Sequence, residues 1–163
     1  MIGELRVGIG VDAHALSPEV PLVLGGLELP GESGLVGHSD GDVIAHALID
    51  ALLGAAGLGD IGALFPSEDP RWRGASSLDL LARAFGDVRA AGWELVNADC
   101  VLVGERPRIA VHRDAMRERL AGALDVPIER VSVRATTTDG LGFTGRREGL
   151  AAQAVALLRV REG

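Results

Sequence analysis

Asp12 and His14 stand one residue apart at the end of an alternating apolar run, Val7, Ile9 and Val11. Alternation of this kind signals a strand, and positions i and i+2 of a strand project from one face. His46 falls in a segment with helical spacing. A strand end and a facing helix can therefore bring one carboxylate and two imidazoles to one side of a divalent cation. Zinc accepts such a donor set, and an open fourth position would make the site catalytic. The bland alternative is three unrelated side chains, because a D-x-H pair with a distant His is a weak motif. Asp42, His46 and Asp50 recur at i, i+4 and i+8 and share a helix face. A metal-bound imidazole usually passes its second ring proton to an acceptor such as a carboxylate. Asp42 or Asp50 could take it, or the three could form a solvated acidic stripe.

Other clusters carry chemistry of their own. His38-Ser39-Asp40-Gly41-Asp42 crowds the start of the same helix, where free amides and the dipole favour anions. His38 could act there as acid, base or electrostatic group, or be incidental to capping by Ser39 or Asp40. Thr136-Thr137-Thr138-Asp139 offers hydroxyls, amides and one carboxylate, enough for a diphosphate and a hard cation, or simply for a strand end and turn. Arg146 and Arg147 follow Phe143 in a Gly-rich stretch and could fork onto phosphate or lie in solvent. His112, among several arginines, reads as structural or exposed. No serine occupies a G-x-S-x-G elbow, so Ser/His/Asp nucleophilic chemistry is not indicated. The lone cysteine, Cys100, lies in an apolar run and reads as a buried, inert thiol.

The elements that must position these groups follow from pattern. Leu5 to Leu16 reads as a strand, and Pro21 to Pro30 as a hairpin about Gly25-Gly26. A helix runs from about Gly41 to Ala56, capped by Ser39 or Asp40 and ended by the Gly-rich stretch Gly57 to Gly62. Phe65 to Pro70 is loop. Ser76 or Ser77 caps a second helix, Leu78 to Ala91, closed by Gly92. Trp93 to Gly104 is a strand. Pro107 suits a first helical turn, with a third helix running to about Leu124. Val131 to Ala135 is a strand, and the connection onward to Arg147 is polar and Gly-rich. Gly149 to Arg161 is ambiguous: its Ala and Leu suit a helix, and its Val155, Leu157, Arg159 alternation suits a strand. The pattern is one mixed α+β domain spanning residues 1–163.

The bulk numbers set limits. A chain of 163 residues with 47% apolar and 3% aromatic content must build its core from aliphatic side chains. The formal charge of -7, without any lysine, argues against general nucleic-acid or anionic-lipid binding. No apolar run has the length of a membrane span, and Met1 to Arg6 lacks a signal-peptide pattern, so a cytoplasmic location is expected.

Taken in order, the clusters resemble the 2-C-methyl-D-erythritol 2,4-cyclodiphosphate synthase family. The resemblance rests on Val11-Asp12-Ala13-His14, on Gly37-His38-Ser39-Asp40-Gly41-Asp42 with His46, and on Gly59-Asp60-Ile61-Gly62. It continues through Phe65-Pro66, Ala135-Thr136-Thr137-Thr138 and Leu141-Gly142-Phe143-Thr144-Gly145-Arg146. Each motif is weak, but six in one order are specific. The resemblance implies a single α+β domain with a mixed β-sheet, helices on one face, and assembly as a homotrimer with sites at subunit interfaces. It also implies that Gly149 to Arg161 is a strand.

The implied reaction converts 4-diphosphocytidyl-2-C-methyl-D-erythritol 2-phosphate to the 2,4-cyclodiphosphate and CMP, in non-mevalonate isoprenoid precursor synthesis. By resemblance, Asp12, His14 and His46 hold zinc, and His38 and Thr137 support the transition state. Ser39 meets the substrate near the metal. Asp60, Ile61 and Gly62 meet sugar hydroxyls, and Phe65, Pro66, Ser67, Glu68 and Asp69 form a mobile substrate loop. Gly104, Glu105, Arg106, Pro107, Arg108, Ile109 and Ala110 form the cytidine pocket. Thr136, Thr138, Phe143 and Arg146 complete the substrate-binding set. Asp139 stands where members often carry Glu, the ligand of a second cation, magnesium or manganese, and Arg108 stands where Lys is common. Asp139 shortens the reach and Arg108 changes the geometry of the charge. Three copies of Arg146 near a three-fold axis would suit an isoprenoid diphosphate. Rival readings are a metal-dependent phosphohydrolase and a non-catalytic trimer that binds isoprenoid diphosphates.

Overall fold

The computed structural model describes residues 3–163; Met1 and Ile2, at the start of the segment read for a leader, lie outside the described residues. Strand β1 (Leu5–Ser17) is followed by the short strands β2 (Val23–Leu24), β3 (Leu27–Glu28) and β4 (Gly34–Leu35). Helix α1 (Val43–Ala56), the single turn α2 (Ile61–Leu64) and helix α3 (Ser77–Ala90) come next. Then follow β5 (Trp93–Val103), α4 (Arg113–Leu124), β6 (Val131–Thr136), the single turn α5 (Gly142–Gly145) and β7 (Gly149–Val160). The main sheet has the order β4-β1-β7-β5-β6, with β5 and β6 parallel and the other neighbours antiparallel. β2 and β3 pair as the hairpin expected around Gly25-Gly26.

The last segment is a strand despite its alanines. Leu150, Ala152, Ala154, Ala156 and Leu158 are buried under α1, while Gln153, Val155 and Arg159 face the other way. Small side chains are needed there because α1 lies directly above. α1 packs on β1, β7 and β5, α3 on α1 and β5, and α4 on β6. The helices thus cover one face, and α1 is buried nearly all round.

Two glycines set the distance between α1 and β1. A Cβ on Gly8 would lie 2.0 Å from the Ala51 carbonyl oxygen, and one on Gly10 1.8 Å from that of Ala47. The helix backbone therefore rests on the bare strand backbone. The register runs antiparallel, so the next inward residues of β1, Asp12 and His14, meet the first turn of α1 and His46.

The caps of α1 and α4 differ from expectation, and two others are sharpened, with Gly57 ending α1 and Ser76 at the start of α3 as expected. The α1 cap is Asp42, whose carboxylate accepts the Ala45 N–H, rather than Ser39 or Asp40. Gly41, with φ of 75°, turns the chain so that Asp42 reaches that position. The stretch ending α1 contains the turn α2, capped by Asp60. Pro107 does not open a helix: α4 begins at Arg113, because the chain first drives Ile109 into the core. Ser76 occupies the α3 cap position without a side-chain bond, and Ser77, the first helical residue, is buried and bonded elsewhere.

Among the described residues, nothing covers the opposite face of the sheet. Val7, Ile9 and Val11 are 70%, 65% and 59% exposed. Ile9 pairs with Val155, and Val7 with Leu157, so these side chains form one apolar sheet surface. Among the described residues no helix is long and apolar enough to cross a membrane.

Candidate metal and substrate site

Asp12, His14 and His46 converge. Asp12 Oδ2 lies 2.8 Å from His14 Nε2 and 3.0 Å from His46 Nδ1, and the two ring nitrogens are 3.3 Å apart. The three donor atoms fall within 4.8 Å of one another, and no other such group occurs among the described residues. One carboxylate oxygen and two imidazole nitrogens this close together fit a tetrahedral divalent cation with one position open, once the ring protons facing it are released. Burial pushes the Asp12 carboxyl up, but hydrogen bonds from His14 and His46 and their charges outweigh it and hold it at about 2. His14 is raised above its ordinary value, chiefly by the Asp12 hydrogen bond, with burial opposing and a bond to the Val36 backbone assisting.

The expected carboxylate partners of His46 lie elsewhere. Asp42 is fully buried and accepts the N–H groups of Gly25, Gly26 and Ala45, tying the hairpin to the start of α1. Burial raises its carboxyl to about 6 against those bonds. Asp50 accepts the Ile61 N–H and anchors α2. Sharing a helix face put both near His46 in projection, but neighbouring backbone amides claimed their oxygens. His46 Nε2 instead meets the hydroxyls of Ser77 at 2.8 Å and Ser39 at 2.9 Å. Ser77 was missed as a site residue because its position at a helix start reads as a cap.

A cavity of about 320 Å³ opens over the triad. Its wall includes His38, Ser39, Ile61, Gly62, Phe65, Ser67 and Glu68, all picked out by the sequence, and also Trp72 and Leu80, which were not. His38 Nε2 lies 3.3 Å from the Asp69 carbonyl oxygen, and Phe65 packs edge-on against Trp72. Asp60 spends its carboxylate on the α2 cap, accepting the Ala63 N–H at 2.8 Å, and Asp69 is held below its ordinary value by hydrogen bonds from Arg71.

A second cavity, of about 990 Å³, is lined by Gly104 to Ala110, Leu27 to Pro30, Ala135 to Thr137, His112 and Arg147. Glu105 Oε1 accepts the N–H groups of Thr138 and Gly140, which fixes the Thr-rich loop beside this cavity. Thr138 also bonds Thr144 and the Leu141 carbonyl. Asp139 is exposed and lies 3.4 Å from Thr137 Oγ1. Arg146 is paired with Glu148 at 2.7 Å, and Phe143 is 43% exposed; neither faces the triad cavity.

The two clusters do not meet within one chain. Asp12 aligns with Ala152, Ala152 with Leu102, and Leu102 with Ala135. Three strand spacings separate Asp12 from Ala135, about 14 Å. His38 and Thr137 thus belong to different cavities at the same end of the sheet.

Comparison with known proteins gives a consistent result. The YgbB family model matches residues 5–159. A 2-C-methyl-D-erythritol 2,4-cyclodiphosphate synthase of Rubrobacter xylanophilus is 59% identical over 96% of this chain and 96% of its own. One of Moorella thermoacetica is 56% identical over 97% of each. Among solved structures, the bifunctional IspDF of Campylobacter jejuni superposes with a TM-score of 0.95 at 42% identity, covering 98% of this chain and 43% of that one. A CDP-bound 2C-methyl-D-erythritol-2,4-cyclodiphosphate synthase gives a TM-score of 0.85 at 44% identity, covering 94% and 99%.

Proposed function

Since the chain belongs to the YgbB family, we propose that it converts 4-diphosphocytidyl-2-C-methyl-D-erythritol 2-phosphate to 2-C-methyl-D-erythritol 2,4-cyclodiphosphate and CMP. The observation that carries this reading is the convergence of Asp12, His14 and His46 in a cavity shared with His38 and Ser39. The reaction joins two anionic ends of one molecule, so it needs positioning and charge neutralisation more than a protein nucleophile.

Asp12, His14 and His46 would hold a divalent cation, zinc by donor type. Bound there, it supplies Lewis acidity and a template for a phosphoryl group. His38 stands at the cavity edge, where a ring N–H can donate to a phosphoryl oxygen. Ser39 offers its hydroxyl to the same ligand. The turn Asp60, Ile61 and Gly62 presents backbone groups to sugar hydroxyls, while Phe65 to Asp69 closes over them and excludes water. The larger cavity suits the nucleoside: Gly104 to Ala110 present backbone groups to a base, and Arg106 and Arg108 add charge for the diphosphate. Thr136, Thr137 and Thr138 would contact the diphosphate, with Thr137 steadying charge on the transferring group. Asp139 would help hold a second cation, magnesium or manganese, which would neutralise charge on the diphosphate.

A homotrimer reconciles this assignment with the separation of the cavities. The triad of one subunit would face the Thr137 loop of the next, and the uncovered apolar face of Val7, Ile9, Val11 and Val155 would be buried between subunits. Burying such a surface is favourable by about 25 cal/mol per Å². An isoprenoid diphosphate in the central cavity would require Arg146 to turn from Glu148. Titration with geranyl diphosphate should then give heat that the Arg146→Ala variant lacks, and the absence of heat with the unmodified protein ends that idea.

Phosphorus NMR tests the reaction itself. With substrate, zinc and magnesium, the expected result is a pair of coupled cyclic-diphosphate signals together with free CMP. Release of inorganic phosphate would instead mark a metal-dependent phosphohydrolase, and no turnover would mark a binding protein.

A further inference from the structure

Behind His46, away from the cavity, a chain of hydrogen bonds runs to a carboxylate that has no place in the substrate site. His46 Nε2 lies 2.8 Å from Ser77 Oγ. The Ser77 hydroxyl donates in turn to Asp40 Oδ1, and the Ser77 N–H donates to Asp40 Oδ2 at 3.0 Å. Asp40 Oδ1 also accepts the Asp42 N–H at 3.1 Å, and the Asp40 N–H donates to the Ala75 carbonyl at 3.1 Å. Ser77 is fully buried, so water cannot replace its partners.

The proton inventory gives this chain a direction. Asp40 accepts the Ser77 hydroxyl proton and two backbone N–H groups, so Ser77 Oγ faces His46 as an acceptor. In the metal-free protein Nδ1 can donate to Asp12; with a metal bound, Nδ1 gives up its lone pair and the one proton of the neutral ring sits on Nε2, donating to Ser77. His46 in the other tautomer would aim a proton at the metal position and leave two lone pairs opposed at Ser77. We propose that Ser77 and Asp40 are positioning residues that fix the His46 tautomer and ring angle for metal ligation, resting on the metal assignment above. Ser39 plays a different part. It lies 2.9 Å from Nε2 and 3.3 Å from Ser77 Oγ, but it lines the cavity, where its hydroxyl can turn to a ligand. The two serines around one nitrogen thus separate metal retention from substrate contact.

Supporting interactions of this type commonly change metal affinity by about 10–100-fold. The test compares zinc affinity, by chelator competition, in wild type, Ser77→Ala, Ser77→Thr and Ser39→Ala, with circular dichroism to verify folding. Ser77→Ala should weaken zinc binding by about 10-fold or more, and Ser77→Thr, which keeps the hydroxyl, should recover most of the loss. Ser39→Ala should raise KM for the substrate and leave zinc affinity within about two-fold. A folded Ser77→Ala protein with unchanged zinc affinity overturns the proposal.

Nitrogen-15 NMR of zinc-loaded wild-type protein provides an independent reading that survives any folding failure of the variants. The His46 proton should reside on Nε2. A proton on Nδ1 also overturns the relay. Wild-type protein that binds no zinc at all would defeat the metal assignment instead, so the two failures are distinguishable.

Discussion

At the residue scale, a metal held by Asp12, His14 and His46, as proposed, would compete with protons for the same lone pairs. His46→Ala removes one of three donors and should lower zinc affinity by at least 100-fold on the scale of lost ligands, with cyclase turnover falling in parallel; calorimetry and phosphorus NMR measure the two. The pH dependence follows from the shifted groups. His14 is raised, so protons compete for its nitrogen over a wider range, and zinc affinity should fall as pH drops through that raised value. Asp12, at about 2, stays ionised and adds no slope. The metal-free protein should behave in the opposite sense. The depressed Asp12 contributes stability above 3.8 that is lost as pH falls toward about 2. The raised His14 contributes stability below 6.5 that is lost as pH rises through its folded value. Melts with and without zinc should therefore show opposite trends as pH rises through the raised His14 value. Parallel trends would mean that the ion pair does not control the site.

At the element scale the decisive contact is α1 lying on the bare backbone of β1. Gly10→Ala would place a Cβ against the Ala47 carbonyl, where neither backbone can retreat without losing its hydrogen bonds. It should cost about 3 kcal/mol or more and weaken zinc binding as well, because the same displacement carries His46 away from Asp12 and His14. Gly86→Ala is the contrasting case. Gly86 sits in α3 with nothing within 4 Å of its added Cβ, so the change should stabilise by about 0.5–1 kcal/mol. Thermal melts of the two variants decide whether the helix–strand contact or general glycine content matters. Asp42→Ala should lower stability by about 2 kcal/mol, since a buried cap and two hairpin amides lose their acceptor together.

At the scale of the whole molecule, one chain holds two cavities whose strands lie about 14 Å apart and, among the described residues, an uncovered apolar sheet face. If that face is buried in the proposed trimer, Ile9→Arg should shift the protein toward monomer by light scattering while leaving zinc bound, because Ile9 points away from α1. Mixing after joint refolding gives a second measurement. His46→Ala and Thr137→Ala are each expected to be nearly inactive, yet mixed assemblies should recover activity, since some sites would pair an intact triad with an intact Thr137. Failure to recover would mean that both halves act within one subunit.

The sequence alone determined the strand carrying Asp12 and His14 and the helix carrying His46, because alternation and helical spacing are local, and it named the trio as a donor set able to hold a metal. The motif order determined the family and, through it, that the alanine-rich last segment is a strand. Only tertiary structure decided the partners of the carboxylates. Asp42 and Asp50 face His46 in helical projection, but amides from Gly25, Gly26 and Ile61, distant in sequence, compete for their oxygens and win. Tertiary structure likewise made Ser77 and Asp40 neighbours of the site, through α3 packing on α1. It also separated His38 from Thr137, since strand order β1-β7-β5-β6 is set by which apolar faces can be buried together, and local spacing carries no record of that.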